Sequence, residues 1–206
     1  MPQLYPLDFA RVEIPAPPTN RVNGHAMAPG KRVALLVNGP SLSRVWDDGK
    51  TGNFDVVVAM NTAAWLFPCD YMVATDSPLI KGVTNEGRQR PRKAMVCYPV
   101  HQTRLSQMGI PWINIPNVPK VKPFTFPRAI LFALELAGNG TVELFGVDWS
   151  DTKVDAAGVK GDHGPERWQK EADAVVKVWD RRIVAVHGEL AANRLAFFKG
   201  ETKLWA

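Results

Sequence analysis

From residue 31 onward the chain alternates between short, almost wholly apolar runs and segments in which apolar residues return every three or four positions. The runs are RVALLV (32–37), FDVVVAM (54–60), DYMVAT (70–75), AMVCY (94–98), WINI (112–115), TVELFGV (141–147) and RIVAV (182–186). They are rich in β-branched residues and most lack in-and-out alternation, as expected of strands covered on both faces. Between them, Ile130, Leu134 and Ala137 share one face of a helix opened by Thr125 and Pro127 and closed at Gly138-Asn139-Gly140. Trp168, Ala172, Val175 and Trp179 repeat that spacing in a second helix, with Pro165 in its first turn and an arginine-rich last turn. Strands that alternate with helices predict an α/β fold: a single doubly wound, mainly parallel sheet with helices on both faces, of the Rossmann-like kind.

Residues 1–30 break this texture. They hold six prolines and little periodicity, and read as an extended arm lying on a single α/β nucleotide-binding domain formed by residues 31–206. The length of 206 residues favours one domain, and 46% hydrophobic with 22% charged residues is ordinary globular composition. No apolar run nears the roughly 20 residues that span a bilayer, and the N-terminus lacks the basic-then-apolar layout of a signal peptide, so a cytoplasmic protein is expected. Cys69 and Cys97 are too few for a disulfide framework or a zinc pattern and read as packing residues. A net charge of +5 points to an anionic partner without choosing among nucleotide, nucleic acid and membrane surface.

Ligands of open parallel sheets bind at the carboxyl edge of the strands. The residues that follow or end the apolar runs there are Asn38, Asn61, Asp76, Asp148 and His187, a polar rim on an apolar sheet. After the first run, Asn38-Gly39-Pro40-Ser41 predicts a tight turn in which Gly39 permits close approach and Ser41 caps a short helix starting near Leu42. The open N–H groups of such a start favour an anion or the polar edge of a nucleotide.

NGPSL after the first run, FDVVVAMNTA, PCDYMVATDSP and FTFPRAILFALELAGNGTVELFGVDWS, in that order, resemble the bacterial CMP-sialic-acid-dependent sialyltransferases and the wider group that includes hydroxymethylpterin diphosphokinase-like domains. The resemblance covers residues 32–187. It implies a glycosyltransferase whose nucleotide contacts fall on Asn38, Gly39, Pro40, Ser41 and Asn61, on Thr125 in place of the family's Thr-Ser-Gly, and on the Asp148 of Gly146-Val147-Asp148. Asp76 and Ser77 are further expected nucleotide contacts; they stand where the sialyltransferases tend to have an asparagine, and an aspartate there fits the wider group better. The family's histidine base, preceded by glycine before the last long helix, corresponds to His163 in GDHGPERWQKEA.

A neutral imidazole near pH 6.5 suits removal of a proton from an attacking hydroxyl, which supports His163 on chemical grounds. His187 is the reserve candidate; His25 and His101 fit less well. No tyrosine lies between Asp148 and His163, so Lys153, Lys160 or backbone donors are expected to hold the leaving phosphate. No Asp-x-Asp triplet occurs, and no obligatory metal or cofactor is expected beyond the nucleotide-sugar donor. The acceptor class stays open among a glycan, a lipopolysaccharide and a modified nucleic acid, as does oligomeric state. Two basic clusters, Arg88, Arg90, Arg92 and Lys93, and Lys120 with Lys122, read as solvated loops or as seats for such an acceptor. The competing readings are a magnesium- and ATP-dependent diphosphokinase and a non-catalytic module that binds nucleotide or nucleic acid.

Overall fold

The computed structural model describes residues 12–13, 30–46, 53–84, 88–115, 124–148, 155–158 and 165–188. Strands and helices alternate along the chain. They run β1 (Val12–Glu13), β2 (Arg32–Leu36), α1 (Leu42–Val45), β3 (Val56–Met60), α2 (Ala63–Leu66), β4 (Tyr71–Val73) and α3 (Ser77–Thr84). There follow β5 (Ala94–Cys97), a 3-10 turn at Pro99–His101 leading into α4 (Gln102–Gln107), β6 (Trp112–Asn114), α5 (Thr125–Ala137), β7 (Thr141–Phe145), α6 (Pro165–Val176) and β8 (Ile183–His187). The sheet order is β1-β8-β7-β2-β3-β4-β5-β6. All pairings are parallel except that of β1, two residues of the proline-rich arm that pair antiparallel with β8.

The unbroken apolar runs follow from burial on both faces. Val33, Leu35 and Val37 face one core with Phe126, Ile130 and Ala133 of α5 and Ala172 and Val175 of α6. Ala34 and Leu36 face the other with Leu42, Ala63, Ile80 and Leu105 from α1 to α4. Successive strand residues point to opposite faces, so both parities must be apolar. The fold is therefore the expected doubly wound α/β sheet, with α1 to α4 on one face and α5 and α6 on the other.

The element boundaries differ from the apolar runs where a polar side chain takes over a backbone partner. Residues 54 and 55 lie outside β3: the Asp55 carboxylate accepts the Arg32 N–H at 2.7 Å, and Phe54 packs edge-on against Phe145 at 5.7 Å. At the start of β4, the Asp70 carboxylate accepts the Val57 N–H at 2.9 Å. WINI is not covered on both faces, because β6 is the sheet edge and its three residues are half-buried or exposed. The helix α5 ends as expected at Gly138, in the left-handed region at φ +59°. Trp179 and the expected arginine-rich last turn lie beyond α6, which stops at Val176. Arg182 instead donates from Nη1 to the carbonyls of Gly138 at 2.6 Å and Leu134 at 3.3 Å, serving the orphan acceptors at the end of α5. Among the described residues no helix is long and apolar enough to cross a membrane.

Candidate functional site

The chain lays β3 to β6 successively to one side of β2, then returns through α5 to place β7 on the other side. That reversal opens a switch point between the carboxyl ends of β2 and β7, where ligands of such sheets bind. Because the strands are parallel, Asn38, Asn61, Asp76, Asp148 and His187 all lie at or beside this one edge.

At the switch point the Asn38-to-Ser41 turn is stitched to the end of β7. Gly39 N donates to the Gly146 carbonyl at 3.1 Å, and Leu42 N to the Gly39 carbonyl at 3.0 Å. A Cβ on Gly39 would lie 2.3 Å from that Gly146 oxygen and 2.5 Å from Asp148 Oδ2, and Gly146 itself takes a φ of +75°. Only glycine meets both demands. Pro40 completes the turn half-buried.

The expectation for Ser41 needs correction. It occupies the N-cap position of α1, but its hydroxyl does not cap the helix. Ser41 N donates to Asp148 Oδ2 at 2.6 Å and Ser41 Oγ to Asp148 Oδ1 at 2.5 Å, with Ser41 fully buried and Asp148 2% exposed. The anion expected at this helix start is thus the protein's own carboxylate, delivered by the neighbouring strand. A charged acceptor on two donors outcompetes a local cap.

One strand over, Asn61 takes a left-handed φ of +51°, which asparagine tolerates better than most residues. Its N–H bonds the Val73 carbonyl at 2.9 Å and its carbonyl accepts Ala64 N at 3.3 Å, so the backbone is fixed. Its side-chain Oδ1 is buried and has no hydrogen-bond partner among the described residues. Buried acceptors are nearly always paired, so this oxygen calls for an explanation. Beside it, the Thr62 hydroxyl donates to Asp155 Oδ2, Asp155 Oδ1 accepts Ala157 N at 2.9 Å, and Ala156 N donates to the Asn38 carbonyl at 3.1 Å. Residues 155–158 are thereby tied to the ends of β2 and β3. Sequence reading missed Thr62 and Asp155; no local pattern links residues 93 positions apart.

Thr125, 7% exposed, opens α5 at the same edge, and its hydroxyl lies 2.6 Å from that of Thr75 beyond β4. One turn on, the guanidinium of Arg128, also 7% exposed, sits 5.2 Å from the Tyr98 ring centroid. Thr75, Arg128 and Tyr98 were not anticipated, although Arg128 is the single charge in TFPRAILF. Asp76 and Ser77 are exposed at the start of α3, where the Asp76 carbonyl accepts Leu79 N at 3.1 Å and Ile80 N at 3.3 Å.

His187 faces inward. Its ring stacks on Phe145 at 4.2 Å and 6°, and its Nε2 lies 3.0 Å from Glu143 Oε2; the other Glu143 oxygen accepts Arg32 Nη2 at 3.2 Å. Glu143, 4% exposed, was legible as the lone charge in TVELFGV. His101 is buried in the 3-10 turn. Burial pushes the Cys69 thiol up to about 12 and the Cys97 thiol to about 11, consistent with packing roles. His163, Lys153, Lys160, His25, Lys120 and Lys122 lie outside the described residues. Among the described residues no three His, Cys, Asp or Glu side chains gather as a metal site would require.

Comparison of the chain with protein-family models, with curated proteins and with solved structures gave no match.

Proposed function

We propose that this edge binds a nucleotide-activated sugar and that the protein is a sialyltransferase-like glycosyltransferase, moving the sugar from a CMP-activated donor to a hydroxyl acceptor with inversion and without an obligatory metal. The observation that carries the reading is the buried Oδ1 of Asn61, unpaired among the described residues, beside the switch point. A nucleoside supplies the missing donor, either as an exocyclic amine or as a ribose hydroxyl. The Thr75–Thr125 hydroxyl pair and the buried cation of Arg128 continue the same edge and suit the donor's anionic part. Asp148 enters in a changed role: it holds the turn and leaves ligand contact to its neighbours.

In the proposed reaction the acceptor oxygen attacks the anomeric carbon, the bond from that carbon to the phosphate oxygen breaks, and CMP departs with the electron pair. His163 takes the acceptor proton, and Lys153 and Lys160 offset the charge on the leaving phosphate.

A second reading, a diphosphokinase, is favoured by Asp76, an exposed carboxylate at the rim. Magnesium held by one carboxylate and the ATP phosphates fits that residue and would neutralise the transferred group.

A thermal-shift panel of CMP, CDP, UDP, GDP and ATP, with and without magnesium, separates the readings. A ligand at a hundredfold excess over its Kd adds about 2.7 kcal/mol of stability. Stabilisation by CMP without metal supports transfer from CMP, and ATP with magnesium supports the kinase. His163→Ala should leave CMP binding intact and stop transfer; unchanged turnover removes the histidine from the mechanism.

A further inference from the structure

The amino edge of the sheet carries a second feature that the nucleotide reading does not use. The stretch Arg88-Gln89-Arg90-Pro91-Arg92-Lys93 leads into β5 from the edge opposite the candidate site, and its four cations are all exposed. It is held in place. Arg92 N donates to the Cys69 carbonyl at 2.9 Å and Lys93 N to the Asp70 carbonyl at 2.8 Å. The Arg88 guanidinium is braced 4.4 Å from the Trp65 ring centroid, and Lys93 Nζ lies 3.4 Å from Asp70 Oδ1. Arg90 and Arg92 project from this anchored backbone.

We infer that this strip is a docking surface for nucleic acid, gripping the phosphate backbone without reading bases. Planar guanidinium forks match phosphodiester oxygens two at a time, and three of the four cations are arginines. Trp65 is half-buried beneath Arg88, and a Cβ on Gly82 would lie 2.5 Å from its ring. That ring serves as a brace, and no base-stacking platform is offered. Among the described residues the exposed large apolar side chains are Leu66, Val100, Ile113 and Val176, on four separate elements, which is little to insert into a lipid surface. The overall charge of +5 assists encounter with a polyanion. This inference stands independently of the nucleotide-sugar reading.

The test is fluorescence anisotropy of the full chain with a labelled single-stranded oligonucleotide across a salt series. The double variant R90E/R92E should bind at least tenfold more weakly at low salt, with the slope of log K against log salt reduced by about 1.4 for two lost phosphate contacts. Both side chains are exposed, so the melting temperature should hold, which separates lost contact from lost fold. The charge-matched variant K177E/R181E changes exposed residues beside β8, about 24 Å away across five strand spacings, and should retain affinity within about threefold. Equal losses in the two variants would mean diffuse attraction and overturn the proposal. So would an unbound oligonucleotide, an unaffected R90E/R92E, or polyglutamate bound as tightly as the oligonucleotide.

Discussion

Ser41 and Asp148, 107 residues apart, meet through two hydrogen bonds of 2.6 and 2.5 Å in a buried contact across the switch point. The carboxylate fixes the turn after β2, which carries Asn38, to the end of β7. Asp148→Ala would leave a buried N–H and a buried hydroxyl without an acceptor, at a cost of about 2–4 kcal/mol. Asp148→Asn should cost less, because the amide can accept from Ser41 N while donating to Ser41 Oγ. Urea denaturation of both variants checks the order; an Asp148→Ala loss below about 0.5 kcal/mol would show that the contact is not holding the turn.

Asn61 separates fold from ligand. Glycine accepts the left-handed backbone more readily, so Asn61→Gly should keep or slightly raise stability. It removes the unpaired Oδ1, and nucleotide affinity should fall by about 1–2 kcal/mol, or roughly five- to thirtyfold. Calorimetric titration with CMP gives the comparison, and equal affinity in variant and wild type would remove this oxygen from the site.

Glu143 joins Arg32 and His187 inside the sheet face that carries Phe145. Removing the Glu143 carboxylate leaves the His187 ring nitrogen, on a side chain 14% exposed, without this partner, whereas Arg32, at 47% side-chain exposure, can rehydrate. Glu143→Ala should therefore lose about 2–3 kcal/mol, and Glu143→Gln about 1, in chemical denaturation. A neutral outcome for the alanine variant would contradict the network's role.

Asp180 provides the acid dependence. The Arg182 guanidinium, bonded to it at 2.9 Å through Nε and Nη2, holds its carboxyl below the usual carboxylate range against an opposing desolvation. With the folded pKa below the unfolded value, the contribution is full above about pH 4 and is lost as pH falls through the folded value. Asp180→Asn should cost about 1 kcal/mol at neutral pH for a partly exposed pair, and the gap to wild type should close on acidification. A gap that persists at pH 2 would assign the loss to packing.

The strands β2, β3, β5, β7 and β8 were readable because burial on both faces forces continuous apolar runs, and α5 was readable because thirteen residues suffice to show helical spacing between defined ends. The helices α1 and α2 span four residues each, too few to display a period; the start of α1 at Leu42 was legible from the Asn38-to-Ser41 turn instead, and α2 left no such signal. The rim could be located from the residues after each strand, since parallel strands send all their ends to one edge. What each rim residue does could not, because Asp148 and His187 are spent on partners from distant segments, Ser41 and Glu143. Glu143 and Arg128 did leave a trace, as single charges in otherwise apolar stretches.

The pairing of β1 with β8 joins Val12 to Val186 and Glu13 to Ala185. On the ribosome, the partner of this early strand is not made until nearly all of the described chain has emerged. Among the described strand pairings this one spans the greatest sequence separation and so carries the largest loop-closure cost. β1 is a two-residue edge strand, so amide protons of β8 facing β1 should exchange ahead of those in β2.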